Sequence, residues 1–284
     1  MNVDKETPRG LPSIAIITPS LNQGMFIEET IQSVLSQDYP NIEYWVIDGG
    51  STDDTLAVLK RYGDRVKWIS EPDRGQSAAI NRGMSQVGDT TYVGWLNADD
   101  LLLPHGLKSM ASFLDQHPAC VAVFGKAYII DDKGNRTGQY PTKPFNKKEF
   151  AVHCTISQPA SLIRRSAWET IGGLDESIHR CMDYDLWWRL SGIGEIGYLD
   201  RFVASSRDHA QSKTRTQRKE VNEEAISILL RHWGMVPRNW CTANILEGLV
   251  DCRRNTYLGR RREAVKHYVS INRWKALLPR NWLF

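Results

Sequence analysis

Short apolar runs alternate along the first hundred residues with stretches of helical spacing. Ser13-Ile-Ala-Ile-Ile-Thr18 is apolar and is broken by Pro19-Ser-Leu-Asn-Gln-Gly24, which predicts a buried strand and a loop. Phe26/Ile27, Ile31 and Val34/Leu35 then recur at helical spacing, and Tyr39-Pro40-Asn41 ends that helix. Glu43–Ile47 reads as a second strand, Leu56, Leu59 and Tyr62 as a helix stopped by Gly63, and Val66–Ile69 as a third strand. Ala78–Val87 is a small-residue helix and Tyr92–Leu96 a fourth strand. Four strand–helix alternations with short links predict an α/β fold with a mostly parallel sheet and covering helices. Beyond Asp100 the spacing predicts a helix over 107–114, a strand over 121–124, a turn at 131–134, a Pro- and Lys-rich loop over 137–150 and a helix over 217–232.

Each expected strand ends in a polar cluster: Thr18-Pro19-Ser20, Asp48-Gly49, Glu71-Pro72-Asp73 and Asn97–Asp100. Ligands of open α/β sheets bind beyond the carboxyl ends of the strands, so these clusters are expected to face one crevice. The adjacent acids Asp99 and Asp100 admit two readings. They precede Pro104, where a helix can start, and so suit a helix N-terminus. They also suit a hard divalent cation that carries a substrate's phosphates. The crevice has no Gly-x-Gly-x-x-Gly and no P-loop, which disfavours a dinucleotide cofactor and P-loop phosphoryl chemistry.

Composition narrows the class further. The chain has 284 residues, 41% hydrophobic and 24% charged, with a net charge of +3, which is ordinary for a globular protein and excludes a general polyanion binder. No segment approaches the ~20 apolar residues of a membrane span, and the polar N-terminus lacks a signal-peptide core. Five cysteines without a Cys-x-x-Cys argue for the reduced cytosol over a disulfide or zinc framework.

Thr18-Pro-Ser-Leu-Asn22, Val46-Ile-Asp-Gly-Gly-Ser-Thr-Asp53, Glu71-Pro-Asp-Arg-Gly-Gln76 and Asn97-Ala-Asp-Asp100 together resemble the successive signatures of family 2 glycosyltransferases. The resemblance runs over roughly residues 12–210. It implies a GT-A fold, a Rossmann-like, mostly parallel central sheet with flanking helices, here with a C-terminal helical extension. It also implies a nucleotide-sugar donor, most readily a UDP-sugar, and an inverting mechanism. By position, Thr18, Pro19, Ser20, Asn22, Asp48, Asp73, Arg74, Gln76, Asn97 and Asp99 would form the donor site, with Asp48 and Pro19 at the base. Asp100, Asp99 and His209 would hold Mn2+ or Mg2+, Asn97 standing where the family often has Asp. Cys181-Met-Asp-Tyr-Asp-Leu-Trp-Trp-Arg-Leu190 resembles the family's Glu-Asp-x-Asp helix start, with Met182 in place of Glu; Asp183 would be the general base and Asp185 the fallback. Gln158-Pro-Ala-Ser161 and Gly172-Gly-Leu-Asp-Glu176 resemble acceptor-side segments, and Lys213 and Arg215 are candidate phosphate contacts.

The expected organisation is a catalytic domain over 1–214 and a basic helical extension over 215–284. Residues 252–284 carry nine Lys/Arg against Glu263 alone, interleaved with Trp and Leu. This suits peripheral contact with an anionic membrane surface, and equally a helix packing its aromatics on the catalytic domain. The expected partners are the donor and a saccharide or lipid-linked acceptor in cell-surface polysaccharide synthesis, without nucleic acid; a homo-oligomer is compatible. The rival readings are a catalytically silent scaffold subunit and a nucleotidyltransferase, the latter weakened by the lack of basic residues in Thr18–Gly24.

Overall fold

The computed structural model describes residues 11–237, 239, 240 and three separate positions, 263, 266 and 270. The expectation for the basic tail, like that for residues 1–10, therefore lies outside the described residues. Nine strands form one sheet: β1 (Ile14–Ser20), β2 (Ile42–Asp48), β3 (Lys67–Ser70), β4 (Tyr92–Trp95), β5 (Leu101–Leu102), β6 (Cys120–Ile130), β7 (Arg136–Gln139), β8 (Ser161–Arg164) and β9 (Glu195–Arg207). Their order is β3-β2-β1-β4-β8-β6-β9-β5, with β7 on β6. The first four strands pair in parallel, and β6 pairs in parallel with β9. β8 runs antiparallel to both β4 and β6. The helices are α1 (Ile27–Leu35), α2 (Thr55–Tyr62), α3 (Gln76–Gln86), α4 (Gly106–Gln116), α5 (Lys147–Val152), α6 (Arg165–Thr170), α7 (Met182–Leu190), α8 (Lys213–Thr216) and α9 (Arg218–His232).

The elements follow from side-chain placement. All seven residues of β1 are buried, as a central parallel strand covered on both faces requires. On α1 the spaced residues Ile27, Ile31 and Val34 face inward. α3 carries Gly83 against the sheet, where a Cβ would stand 2.5 Å from Ile17 Cγ2 and 3.0 Å from Ile47 Cγ1, so only hydrogen allows this approach. Gly63 caps α2 with a φ of +54°.

One expectation is corrected. Residues 137–150 do not form a plain loop. Arg136–Gln139 pairs with the end of β6, and Asn146 caps α5 by accepting from the Lys148 and Glu149 amides at 2.9 and 3.3 Å. The polar edge strand leaves no apolar periodicity to read; the Arg136 guanidinium instead lies 3.6 Å from the centre of the Tyr128 ring. The domain boundary at residue 214 differs from the way contacts divide the chain. One unit comprises Met1–Pro144, Ile156–His179 and Arg189–Asp208, and the other Phe145–Thr155, Arg180–Trp188 and His209–Phe284. The whole sheet belongs to the first unit. The second unit is held by aromatic packing: Phe150 against Tyr184 and Trp188, at centroid distances of 4.8 and 5.4 Å, and Trp188 against Trp233 at 5.6 Å. Among the described residues no helix is long and apolar enough to cross a membrane.

Candidate active site

In the first unit the chain steps from β1 outward to β2 and β3, then returns to the other side of β1 with β4. This reversal is a topological switch point, the place at which ligands of open α/β sheets bind. The polar strand ends are knitted together. The Gly49 amide donates to Ser20 O at 2.8 Å, and the Glu71 amide donates to Asp48 O at 3.0 Å. Asn22, in left-handed conformation with φ 53°, donates its amide to Ser51 Oγ at 2.7 Å and accepts from the Thr52 amide at 2.9 Å. The Gly24 amide donates to Asp53 Oδ2 at 2.8 Å, which helps hold the Asp53 carboxyl below its ordinary range against the opposing effect of burial.

Asp48 is wholly buried. Its Oδ2 accepts from the Gly50 and Ser51 amides at 3.1 and 2.9 Å and from Ser70 Oγ at 2.6 Å, while its Oδ1 accepts from Ser51 Oγ. The carboxylate therefore organises its own loop. Thr18 Oγ1 shares a hydrogen bond with Tyr44 Oη at 3.0 Å inside the core. Pro19 is also buried, whereas Ser20 Oγ is buried without a protein partner and is open to a ligand hydroxyl or phosphate. Asp73 reaches over Gly49, where a Cβ would lie 2.8 Å from its Oδ2, and its Oδ1 accepts from the Gly75 amide at 2.8 Å. Arg74 is 85% exposed and pairs with Glu176 at 2.9 Å.

After β4 the chain turns sharply, with the Asp100 amide donating to Asn97 O at 3.0 Å. Gln76 Nε2 donates to Asn97 Oδ1 at 2.7 Å, and Asn97 Nδ2 donates to Asp100 Oδ2 at 3.1 Å. The Arg207 amide donates to Asp100 Oδ1 at 2.9 Å. Two strand residues, Leu101 and Leu102, follow the acids, and α4 starts only at Gly106. Asp99 and Asp100 are thus not the cap of a helix. Burial and the adjacent Asp99 push the Asp100 carboxyl up to about 8. A buried carboxylate beside a half-buried one fits a hard divalent cation, whose charge would favour both ionised forms. Among the described residues no group of three or more His, Cys, Asp or Glu side chains is placed to hold a metal, so the chain would contribute a sparse carboxylate set, as Mg2+ and Mn2+ accept beside substrate phosphates.

Arg207 braces this loop. Its fully buried side chain donates to the carbonyls of Asp99, Asp131 and Asp132 at 2.9, 3.1 and 3.3 Å and pairs with Glu29 at 2.7 Å. Its guanidinium also lies 4.8 Å from the Phe26 ring centre. Gln158 Nε2 donates to Trp95 O at 2.8 Å and leaves its Oε1 without a protein partner at the end of β4. Gly173, with φ +71°, passes so close to Asn81 that a Cβ would stand 2.8 Å from Oδ1, and Asn81 exchanges hydrogen bonds with both the amide and the carbonyl of Leu174.

The second unit holds Asp183, Asp185 and His209. Asp183, partly buried, opens α7 and accepts from the Tyr184 amide at 2.8 Å. Burial first, and the Glu224 charge second, push its carboxyl up to about 6 against the pull of backbone amides. A carboxylate with this affinity is ionised at neutral pH yet basic enough to accept a proton. Asp185 is fully buried, with His232 Nε2 at 2.8 Å from its Oδ1, and so serves structure. Trp187, one turn after Asp183, is wholly buried. His209 is buried, while Lys213 and Arg215 stand on the short helix α8.

Sequence reasoning gave no role to Ser51, Ser70, Arg207 or Glu224. Ser51 was within reach, since a hydroxyl three residues after Asp48 fits a local side-chain turn. The other three act across 22 to 108 positions, which spacing does not show.

The pattern described as Glycosyl transferase family 2 matches residues 15–172. An uncharacterized glycosyltransferase of Rickettsia prowazekii (strain Madrid E) is 29% identical over 222 residues, 75% of this chain and 69% of that one. Chondroitin synthase of Escherichia coli is 24% identical over 261 residues, 90% of this chain but 38% of its own length. Among solved structures, S. aureus TarS in complex with UDP superposes with a TM-score of 0.60 at 20% identity, covering 78% of this chain and 66% of that one. The mannosyltransferase PcManGT of Pyrobaculum calidifontis, in complex with GDP-Man and Mn2+, gives 0.62 at 16% identity over 96% and 77%. These likenesses carry the GT-A fold expected from the sequence. With the pattern spanning more than half of its residues, the chain belongs to glycosyltransferase family 2.

Proposed function

We propose that the protein transfers a sugar, with inversion, from a UDP-sugar to a saccharide or lipid-linked acceptor during cell-surface polysaccharide synthesis. The observation that carries the reading is Asp183, a partly buried carboxylate whose proton affinity is raised to about 6 at the start of α7. It takes the acceptor hydroxyl's proton as that oxygen bonds to the anomeric carbon, and the bond from that carbon to the diphosphate oxygen breaks. The donor lies beyond β1–β4. Ser20 and Asn22 line its approach, Asp73 and Gln76 stand beside the loops that face it, and Asp48 shapes the loop under the base. Asp99 and Asp100 would hold Mn2+ or Mg2+, and the resemblance names His209 as a further candidate. A divalent cation there supplies charge neutralisation for the departing diphosphate. Relatives named chondroitin synthase and hyaluronan synthase support a polysaccharide product, and TarS in complex with UDP-GlcNAc supports a uridine donor.

The test is a thermal-shift screen of UDP-, GDP-, dTDP- and CMP-sugars with and without Mn2+, followed by transfer assays of Asp183→Asn. A Mn2+-dependent shift confined to UDP-sugars, with transfer abolished in the variant, is the expected result. A shift confined to another base overturns the donor assignment, and unchanged transfer by Asp183→Asn removes it as the base.

A further inference from the structure

Asp183 accepts from the Tyr184 amide within the first turn of α7, but Arg180 and Cys181, which lead into the helix, carry no side chain of the N-cap type for their own amides. The acceptor comes from α9. Glu224 Oε2 accepts from the Arg180 amide at 2.7 Å and from the Cys181 amide at 2.6 Å. Two further bonds join the same segments: Arg180 Nε donates to Gln217 Oε1 at 2.8 Å, and Cys181 Sγ donates to Val221 O at 3.4 Å. Gln217, Val221 and Glu224 follow one another at four and three residues, so one face of α9 and its leading residue meets the two residues before the base helix. All of these residues belong to the second unit.

We propose that Glu224 is a positioning residue for Asp183: its carboxylate, held by the Arg180 and Cys181 amides, fixes the first turn of the base helix and sets the charge beside the base. The proposal rests on the reading of Asp183 as the general base. Amide groups at a helix start favour an ionised acid, and a base stabilised too far is a weak one. The amides that pull on Asp183 are those of Tyr184 and of Asp183 itself; Glu224, held by the two amides just before the helix, offsets that pull by adding a negative charge that raises the proton affinity of Asp183. The other titratable neighbours within the unit are accounted for. Burial pushes the Cys181 thiol and the Tyr184 phenol far up, so both stay neutral; Cys154 faces Cys181; and Arg180 turns its Nε to Gln217. Asp185 is matched by His232 at 2.8 Å and Arg231 at 3.7 Å.

The test titrates Asp183 directly, by following the carboxyl carbons of 13C-labelled aspartates with pH in the full chain; the signal missing from Asp183→Asn identifies the residue. Wild type should titrate near pH 6. Glu224→Gln retains an oxygen that can accept from the amides but loses the charge, so it should fold like wild type and titrate about half to one pH unit lower. Glu224→Ala should move in the same direction and lose protection of the Arg180 and Cys181 amides from hydrogen exchange. A Glu224→Gln midpoint that stays in place or rises overturns the proposal. UDP release from UDP-sugars with Mn2+, measured on Asp183→Asn, reads the base assignment separately. If release is lost there while the Glu224→Gln midpoint stays, the positioning role alone fails; if release is unchanged while the midpoint falls, the base reading fails and the charge relation stands.

Discussion

Replacing Arg207 with Met tests which part of its bonding holds the Asp99–Asp100 loop. The guanidinium is fully buried, while its ion-pair partner Glu29 keeps 54% of its side chain in water. A pair with one partner so exposed contributes at most about 1 kcal/mol. The Asp99 carbonyl is the larger contribution, because a buried acceptor left without a donor costs roughly 1–3 kcal/mol, whereas Asp131 O still accepts from the Gly134 amide at 3.1 Å and Asp132 is exposed to water. The longest of the three contacts is 3.3 Å and counts least. Methionine fills most of the volume and supplies no donor, so Arg207→Met should lower unfolding free energy by about 1–3 kcal/mol, the cost of one orphaned buried carbonyl. Glu29→Gln should lower it by less than about 1 kcal/mol. Urea unfolding of both variants, followed by tryptophan fluorescence and by circular dichroism, gives the two numbers. Equal losses, or an Arg207→Met loss below about 1 kcal/mol, would refute the assignment of stability to the Asp99 carbonyl.

Four further outcomes are expected. Asp183→Asn should reduce transfer by about 10²–10⁴-fold, and in wild type the acid limb of kcat/KM should fall below about pH 6. The same variant should be more stable than wild type at pH 8, because the folded chain binds the Asp183 proton more tightly than the unfolded chain, with its ordinary value of 3.8; stability is therefore lost as pH rises from there through about 6, and thermal melts at pH 4 and 8 check the sign. Gly49→Ala puts a Cβ 2.8 Å from Asp73 Oδ2 and should weaken nucleotide-sugar binding by calorimetry with little change in melting temperature. Gly83→Ala meets Ile17 at 2.5 Å and, despite the better helix propensity of alanine, should destabilise the chain by about 1–3 kcal/mol in urea unfolding.

The parallel half of the sheet was legible because its signals are local. β1 ends at a proline-containing polar turn, α1 shows its buried stripe at spacings of three and four, and the four polar clusters follow their strands in order. The reading of Asp99 and Asp100 as a helix cap was decided only by the structure, since Leu101 and Leu102 pair with β9 through residues about a hundred positions away. β7 escaped because its residues are polar on an edge, and α5 because it has six residues. The bonding state of Asp48 was invisible as well. A sequence shows an acid after a strand, but not that Ser51 and Ser70 occupy its oxygens.

The central position of β6 constrains the order in which the chain can assemble. Its inner pairings, to β8 and β9, match Ala122 with Ile163 and Cys120 with Glu195, about 40 and 75 residues downstream. Parallel pairing across such a gap closes a long loop before any contact repays it, which slows folding. β1 to β4 can pair among themselves once residue 95 has been synthesised. The eleven-residue apolar strand that follows must then wait with an open edge until β9 is made. β7, joined by a local turn, and then β8 cover only the opposite edge meanwhile. A nascent chain halted between residues 130 and 195 therefore exposes a template for cross-chain strand pairing, and that interval is where aggregation during synthesis should concentrate.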